Sequence, residues 1–211
     1  LSQAEGNTGS SNAYEFVVTL DGTSAVDVVI PWTFAHGTTS AADFDAGLTT
    51  SGKVTIPAGQ LSAKIPSFLL NGDVTVELNE TFSVTLGTPE TAGVVVSETD
   101  KVGTGTIENE DAATLIITAP AAANEGSSAS SDAEFTVTLS APADVDVTFN
   151  YQTQDGTAKT GSNDYVAVNG SLTFKAGNAG TLKIPVSVLG DNIVELDEQF
   201  SVMLDTLDAG S

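Results

Sequence analysis

Two tandem antiparallel β-sandwiches of immunoglobulin-like type, about seven strands each, are the all-β fold that this 211-residue chain predicts. Three features carry that expectation. One unit is written twice, the apolar residues inside each unit alternate with a period of two, and turn residues recur roughly every 8–15 positions.

The repeat runs the length of the chain. "EGNTGSSNA" (5–13) is answered by "EGSSASSDA" (125–133), and "YEFVVTL" (14–20) by "AEFTVTL" (133–139). "AHGTTSAADF" (35–44) is answered by "QDGTAKTGSNDY" (154–165), with two extra residues, and "KVTIPAG" (53–59) by "SLTFKAG" (171–177). "AKIPSFLLNGD" (63–73) becomes "LKIPVSVLGD" (182–191), one residue shorter, and "GDVTVELNETFSVTL" (72–86) becomes "GDNIVELDEQFSVML" (190–204). Within the second copy Val145, Val147, Phe149 and Tyr151 alternate with polar residues. Leu182, Ile184, Val186 and Val188 do the same, as do Phe200, Val202 and Leu204. That is the half-buried strand pattern, and no segment offers a helical period.

The copies differ at their edges. The second opens with an apolar run, "ATLIITA" (113–119), for which the first has no counterpart. The first closes with "VGTGTIENEDA" (102–112), for which the second has none. The expectation is two domains, 1–111 and 112–211, cut from a longer array with one strand missing at each end. The opening "LSQAEG" carries no signal-peptide pattern and reads as a mature form or a fragment.

Hydrophobic residues make up 40% of the chain, enough for packed cores. The net charge is −22, and the six basic residues are all Lys. Such a surface repels nucleic acid and anionic lipid and attracts cations. There is no Cys, which excludes disulfides and thiolate metal sites. No apolar run approaches the ~20 residues of a membrane helix.

The acids concentrate in the predicted loops. The first copy supplies Glu5, Asp43, Asp73, Glu77, Glu80, Glu110 and Asp111. The second supplies Glu125, Asp164, Asp191, Glu195, Asp197 and Glu198. Loops gather at the two ends of a sandwich, so acids distant in sequence can converge. Converging carboxylates repel and raise one another's pKa. Ca²⁺ removes that conflict, because it takes 6–8 oxygens in flexible geometry. Mg²⁺ prefers few protein ligands, and Zn²⁺ wants His or Cys, of which the chain has one and none. The plainer alternative is that the acids only solvate the surface. Against it stands their recurrence at matched loop positions in both copies.

These motifs resemble the Calx-beta domain family, known from sodium–calcium exchangers, the integrin beta-four subunit and large bacterial surface proteins. The second copy carries Glu125-Gly126, "DGTA" (155–158), Asp164-Tyr165, "GSLTFKAG" (170–177) and the Glu195-to-Leu204 strand. The first keeps Glu5-Gly6, Asp43-Phe44, "GKVTIPAG" (52–59) and Glu77 to Leu86, but reads His36-Gly37-Thr38-Thr39 in place of "DGTA". The resemblance implies Ca²⁺ held by acids at one end of each sandwich. The first set would be Glu5, Asp43, Asp73, Glu77, Glu80, Glu110 and Asp111 with the Thr75 carbonyl. The second would be Glu125, Asp164, Asp191, Glu195 and Glu198 with the Ile193 carbonyl. Asn109 stands where calcium-sensing members have an acid, and the acid run before Glu77 and Glu195 is thin, which implies fewer or weaker ions.

Other chemistries fare worse. His36, Ser40 and Asp43 lie close in sequence, but a turn around Gly37 accounts for them, and the second copy has Asp155 at the position of His36. Trp32, the only Trp, falls in a strand opposite Tyr151 in the repeat, which suits core packing better than sugar stacking. The expected function is a non-enzymatic calcium-binding structural or adhesion repeat of an extracellular or cell-surface protein. Its partners would be calcium ions, neighbouring repeats and cell-surface or matrix ligands, with Ca²⁺ rigidifying the domain junction. The alternatives are a regulatory calcium-sensor pair of a membrane transporter or receptor, and a carbohydrate-binding sandwich with an exposed aromatic cluster.

Overall fold

The computed structural model describes residues 1–122 and 124–209, and the side chains of 206–209 lie outside that description. Its strands are β1 (Ser2–Ala4), β2 (Ala13–Tyr14), β3 (Val17–Thr19), β4 (Val28–His36), β5 (Ser51–Ile56), β6 (Ser62–Lys64), β7 (Phe68–Leu69), β8 (Glu80–Leu86) and β9 (Val102–Glu108) in the first copy. The second copy contributes β10 (Leu115–Thr118), β11 (Ser131–Leu139), β12 (Val147–Gln154), β13 (Asn169–Phe174), β14 (Gly180–Val188) and β15 (Ser201–Ala209). The one helical element among the described residues is a 3-10 turn, Thr160–Ser162, and none is long and apolar enough to cross a membrane. It uses the two residues that the second copy inserts before Asp164.

The chain forms two compact units. One holds Leu1–Val74 and Leu78–Glu110; the other holds Thr75–Glu77 and the chain from Asp111 onward. In the first, the sheet β1-β9-β8-β4-β5 encloses a core with the ladders β2-β7 and β3-β6. In the second, β10-β11-β14 and β13-β12-β15 do so. Both are sandwiches, each closed over its own apolar cluster.

Period-two patterning produces those clusters. Along β4, Val28, Ile30, Trp32 and Phe34 are buried on one face; along β14, Ile184 and Val186 are fully buried. In the first unit five rings pack around Phe82: Tyr14, Phe16, Phe44 and Phe68 edge-on and Phe34 stacked. Trp32 is only 2% exposed, and Gly52 leaves the room its indole needs. It is a core residue, so it offers no stacking platform for a sugar.

The single extra residue in 63–73 has a structural consequence. β11 and β14 form one uninterrupted ladder from Ser131↔Val188 to Leu139↔Gly180. Their counterparts are split into β2-β7 and β3-β6, with registers that differ by one residue across the break at Glu15-Phe16 and Ile65–Ser67. An inserted residue interrupts a ladder in this way.

Candidate metal-binding site

The acid-bearing loops of each copy are drawn together by neutral backbone contacts, and the same contacts occur twice. The Glu-Gly turn comes first. Gly6 and Gly126 have φ of 95° and 87°, the left-handed region open to glycine. The loop after β7, or after β14, lies directly on that turn. A Cβ on Gly72 would sit 2.0 Å from the Gly6 oxygen, and one on Gly190 would sit 2.6 Å from the Glu125 oxygen. Only glycine permits this approach, and it brings Asp73 beside Glu5-Gly6 and Asp191 beside Glu125-Gly126.

The second contact seats the Asp of Asp-Phe and Asp-Tyr. Asn71 donates its N–H to the Asp43 carbonyl (3.0 Å), and Leu189 donates to the Asp164 carbonyl (2.9 Å). Single bridges Phe44↔Leu70 and Tyr165↔Val188 fix the next residue, whose ring enters the core. The carboxylates are oriented from behind. Ser40 N–H donates to Asp43 Oδ2 (2.5 Å), and Lys159 N–H to Asp164 Oδ2 (2.7 Å).

The third contact explains the "HGTT" and "DGTA" loops. Thr81 N–H donates to Thr38 Oγ1 (2.8 Å), and Gln199 N–H to Thr157 Oγ1 (2.9 Å). Thr39 N–H donates to the Thr81 carbonyl (3.3 Å), and its counterpart Ala158 N–H to the Gln199 carbonyl (3.1 Å). Thr81 and Gln199 directly follow Glu80 and Glu198, so each loop pins the chain beside one acid. Thr38 and Thr157, like Gly72 and Gly190, were not singled out from sequence; their recurrence in the repeat was the available signal.

The result in the second copy is two triads that share a member. Carboxylate oxygens of Glu125, Asp191 and Glu195 lie within 4.8 Å of one another, as do those of Asp164, Glu195 and Glu198. Ile193 is 68% exposed, and its N–H donates to Asp191 Oδ1 (2.5 Å), an Asx turn that holds that carboxylate. Loss of water raises the Glu195 carboxyl above its ordinary pKa, and the charges of Glu125, Asp191 and Asp164 add to the rise. Glu198 is raised by the same desolvation and by Asp164, Glu195 and Glu125. In both, desolvation comes first and the like charges held nearby add to it.

In the first copy, Asp43 and Glu80 stand in the first unit, whereas Glu77 falls in the Thr75–Glu77 stretch that belongs to the second. Glu5 is buried, at 4% exposure, and its N–H reaches the Glu108 carbonyl (3.3 Å). Glu110 Oε1 accepts the Gly6 N–H. Asp111 follows Glu110, and Asn109 donates its N–H to Asn79 Oδ1 (3.1 Å). Thr75 is partly buried. Five of the six lysines pair elsewhere, with Glu90, Glu15, Glu98, Asp146 and Glu134. The donor sets are therefore hard oxygens gathered without a lysine ammonium among those five pairs, a composition that suits a hard divalent cation.

His36, Ser40 and Asp43 do not form a hydrolytic triad. His36 Nδ1 meets Thr39 Oγ1 (3.0 Å), while Asp43 takes the Ser40 backbone. The two copies differ here as a pair. In the second, Tyr165 donates its hydroxyl to Asp155 Oδ1 (2.5 Å); in the first, the corresponding Phe44 has no hydroxyl and packs its ring against His36, centroids 5.7 Å apart.

No curated protein sequence matches the chain. Among solved structures it is similar to calcium binding domain CBD12 of CALX1.1, at 20% identity and a TM-score of 0.45, with 98% of this chain and 76% of that one covered. It is similar to the apo form of the Calx CBD1 domain at 21% identity and a TM-score of 0.44, covering 52% of this chain and 89% of that one. The Calx CBD2 domain follows at 13% identity and a TM-score of 0.40, with 52% and 81% covered. The Calx-beta domain family matches residues 6–117 and again 110–211, the same two stretches that carry the duplicated acid loops, and the chain belongs to that family.

Proposed function

We propose that this chain is a calcium-binding structural repeat pair of an extracellular or cell-surface protein. The observation that carries the reading is the gathering of Glu125, Asp164, Asp191, Glu195 and Glu198 into two triads that share Glu195. Five carboxylates offer up to ten oxygens, more than the 6–8 that one Ca²⁺ takes at roughly 2.3–2.6 Å. Two ions sharing Glu195, or one ion with spare carboxylates, both fit that set. Mg²⁺ fits less well because it keeps several waters, and Zn²⁺ lacks nitrogen or sulfur ligands here. By position in the repeat, the first copy would use Asp43, Glu77, Glu80, Glu5, Asp73, Glu110 and Asp111 with the Thr75 carbonyl. The Ile193 carbonyl completes the second.

Bound Ca²⁺ cancels the repulsion recorded in Glu195 and Glu198 and crosslinks loops that belong to different strands. Glu110 and Asp111 are also the residues that lead into the second copy, so occupancy would rigidify the junction between neighbouring repeats. Such a module would serve as a stiff spacer in an adhesive protein that engages cell-surface or matrix ligands.

Thermal melts with chelator and with Ca²⁺ test the reading. A ligand that binds only the folded state adds about 2.7 kcal/mol at a hundredfold excess over Kd. Equal midpoints at matched ionic strength would mean that the acids are only solvated charge. The same titration tests the setting, because extracellular modules hold Ca²⁺ at roughly 10⁻⁴–10⁻³ M and sensors at roughly 10⁻⁷–10⁻⁵ M. Small-angle scattering with and without Ca²⁺ tests the junction, which should sample a narrower range of shapes when calcium is bound.

A further inference from the structure

The second unit takes in a short stretch of the first copy of the repeat. Thr75–Glu77 belongs to that unit, although the repeat counts these residues with the first copy. Val76 forms a single parallel bridge with Ala143. Its N–H donates to the Pro142 carbonyl (2.9 Å), and its carbonyl accepts the Asp144 N–H (3.0 Å). Its side chain packs against the apolar cluster that contains the buried Ala143.

The second copy carries the same stretch. Where 72–86 aligns with 190–204, Thr75-Val76-Glu77 becomes Ile193-Val194-Glu195. The first three are half-buried and the second three are exposed. Val194 is 97% exposed, with Ile193 and Leu196 at 68% and 90%, and no described residue bonds the Val194 backbone. Branched aliphatics suit a pleated, half-buried setting, and grouped exposed ones mark an interaction site.

The turn that receives Val76 also recurs. The Ala143 carbonyl accepts the Gly177 N–H (2.7 Å), and Asp146 Oδ1 accepts the Ala176 N–H (2.9 Å). In the first unit the Ser24 carbonyl accepts the Gly59 N–H (2.8 Å), and Asp27 Oδ1 accepts the Ala58 N–H (2.9 Å). Ser24 therefore stands at the place of Ala143, with Thr23 and Ala25 at those of Pro142 and Asp144. Thr23 and Ala25 are exposed. The docking stretch and the receiving turn are both properties of the repeated unit.

We infer that Ile193–Glu195 docks on a further unit of the same kind, through the bridge that Val76 makes. The inference rests on the tandem-repeat reading above, but not on its calcium. Val194 would give its N–H and take an N–H at the two residues flanking a small one in the receiving turn, and would bury its side chain against that unit's core. The first copy's stretch serves the unit that follows it in the chain, so the occupant is another Calx-beta unit of a tandem array. Stretch and turn are different surfaces, so the contact is head-to-tail and can repeat without closing.

The chain has no Cys, so introduced cysteines report the contact. Adjacent strands lie about 4.7–4.9 Å apart, inside the roughly 4.4–6.8 Å between Cα atoms that a disulfide spans. Val76→Cys with Ala143→Cys in one chain should therefore close an internal disulfide. For the inference itself, a second copy of the full chain stands in for the further unit, since it carries the Thr23–Ala25 turn. Val194→Cys chains are mixed with Ser24→Cys chains under mild oxidation, in salt that screens the acids. The concentration is about 1 mM, that of tethered modules, and the mixed dimer should form about tenfold or more faster than with Val95→Cys, a comparably exposed position. In the unaltered chain the Val194 and Ala25 amides should shift together as concentration rises, and Val194→Asp should abolish the shift. Each measurement is run in Ca²⁺ and in chelator. A preference in either solution upholds the docking, whereas the melts decide whether the acids bind calcium, so the two readings fail separately. If the chain with two cysteines does not fold, the mixed-chain rates and the amide series still decide. Equal rates for Val194→Cys and Val95→Cys, symmetrical Val194→Cys dimers in place of mixed ones, amides that do not respond to concentration, or a folded Val76→Cys, Ala143→Cys chain that closes no disulfide would each overturn the inference.

Discussion

Adding one methyl group at Gly190 should damage the acid cluster without altering any acid. In Gly190→Ala the new Cβ would lie 2.6 Å from the Glu125 oxygen, 2.7 Å from the Gly126 oxygen and 2.9 Å from the Gly126 carbonyl carbon. All three are backbone atoms, so no side chain can swing away. Even a close carbon–oxygen contact needs about 3.3 Å, so the two loops must part by roughly 0.7 Å. Overpacking of this kind costs about 1–3 kcal/mol. In a unit of about a hundred residues each kcal/mol lowers the melting temperature by roughly 4–8 °C. The separation also acts on ligands, since Glu125 and Asp191 stand on the two loops that part. A shift of roughly 0.7 Å exceeds the spread of about 0.3 Å in Ca²⁺–oxygen distances. Calcium affinity should therefore fall by about tenfold or more, or ~1.4 kcal/mol. Gly161→Ala is the control: nothing lies within 4 Å of its Cβ, and stability should stay within about 0.5 kcal/mol of the parent. Calorimetry and melts with chelator and with Ca²⁺ read both effects. If Gly190→Ala melts and binds as the parent does, the glycine contact does not organise the site.

Glu195→Gln should act with opposite signs in the two states. Without calcium it removes a charge from both triads and should raise the melting temperature; with calcium it removes a shared ligand and should weaken binding, both read by melts and calorimetry. The pH dependence follows from the same groups. The folded-state pKa values of Glu195 and Glu198 lie above their unfolded values, so the metal-free fold loses stability as pH rises through that window and regains it on acidification. A melting series in chelator should show less of that regain in Glu195→Gln; an equal regain would place the raised carboxyls elsewhere. Tyr165→Phe reproduces the first copy's Phe44 and removes the largest cause of Asp155's lowered pKa, the phenol hydrogen bond. Carboxyl NMR should show Asp155 moving up toward its ordinary value. The stability that Asp155 contributes above its unfolded pKa, lost as pH falls through the folded one, should shrink with it. In the parent, one tyrosine should ionise only near pH 12, because burial and then Asp155 push Tyr165 up to about 12.

The strand positions were legible because their faces are decided by burial, and burial leaves a period of two. The alternation in 182–188 became the buried face of β14, and that in 14–20 became β2 and β3 with a break. The break was not legible as such. A one-residue length difference between copies was visible, but where a ladder yields to it depends on packing around Glu15, Phe16 and Pro66. The acids of the second copy could be read as a set because each stood at a loop position matched in the first. What could not be read was how the loops are held. Gly72 and Gly190 were present in "GD" in both copies, yet the reason for glycine is a carbonyl of Gly6 or Glu125 more than sixty residues away in the chain. A contact of that kind leaves only the absence of a side chain in the sequence.

The two copies separate what is essential to the acid end from what is not. They have exchanged Asp155 and Tyr165 for His36 and Phe44, so that a hydroxyl–carboxylate bond in one is a ring contact in the other. They differ in strand content at their edges, β10 in one and β9 in the other. Yet both keep the glycine approach, the carbonyl bond to Asp43 or Asp164, and the threonine that holds the residue after Glu80 or Glu198. Every one of these contacts is neutral and lies behind the carboxylates. They force like charges together, which is costly unless a cation shares the space. A surface selected only for solvation gains nothing from such constraint, because exposed acids lower their repulsion by spreading apart. Backbone contacts that prevent the spreading, kept in both copies while neighbouring contacts changed, are what a cation site requires and what a merely acidic surface does not.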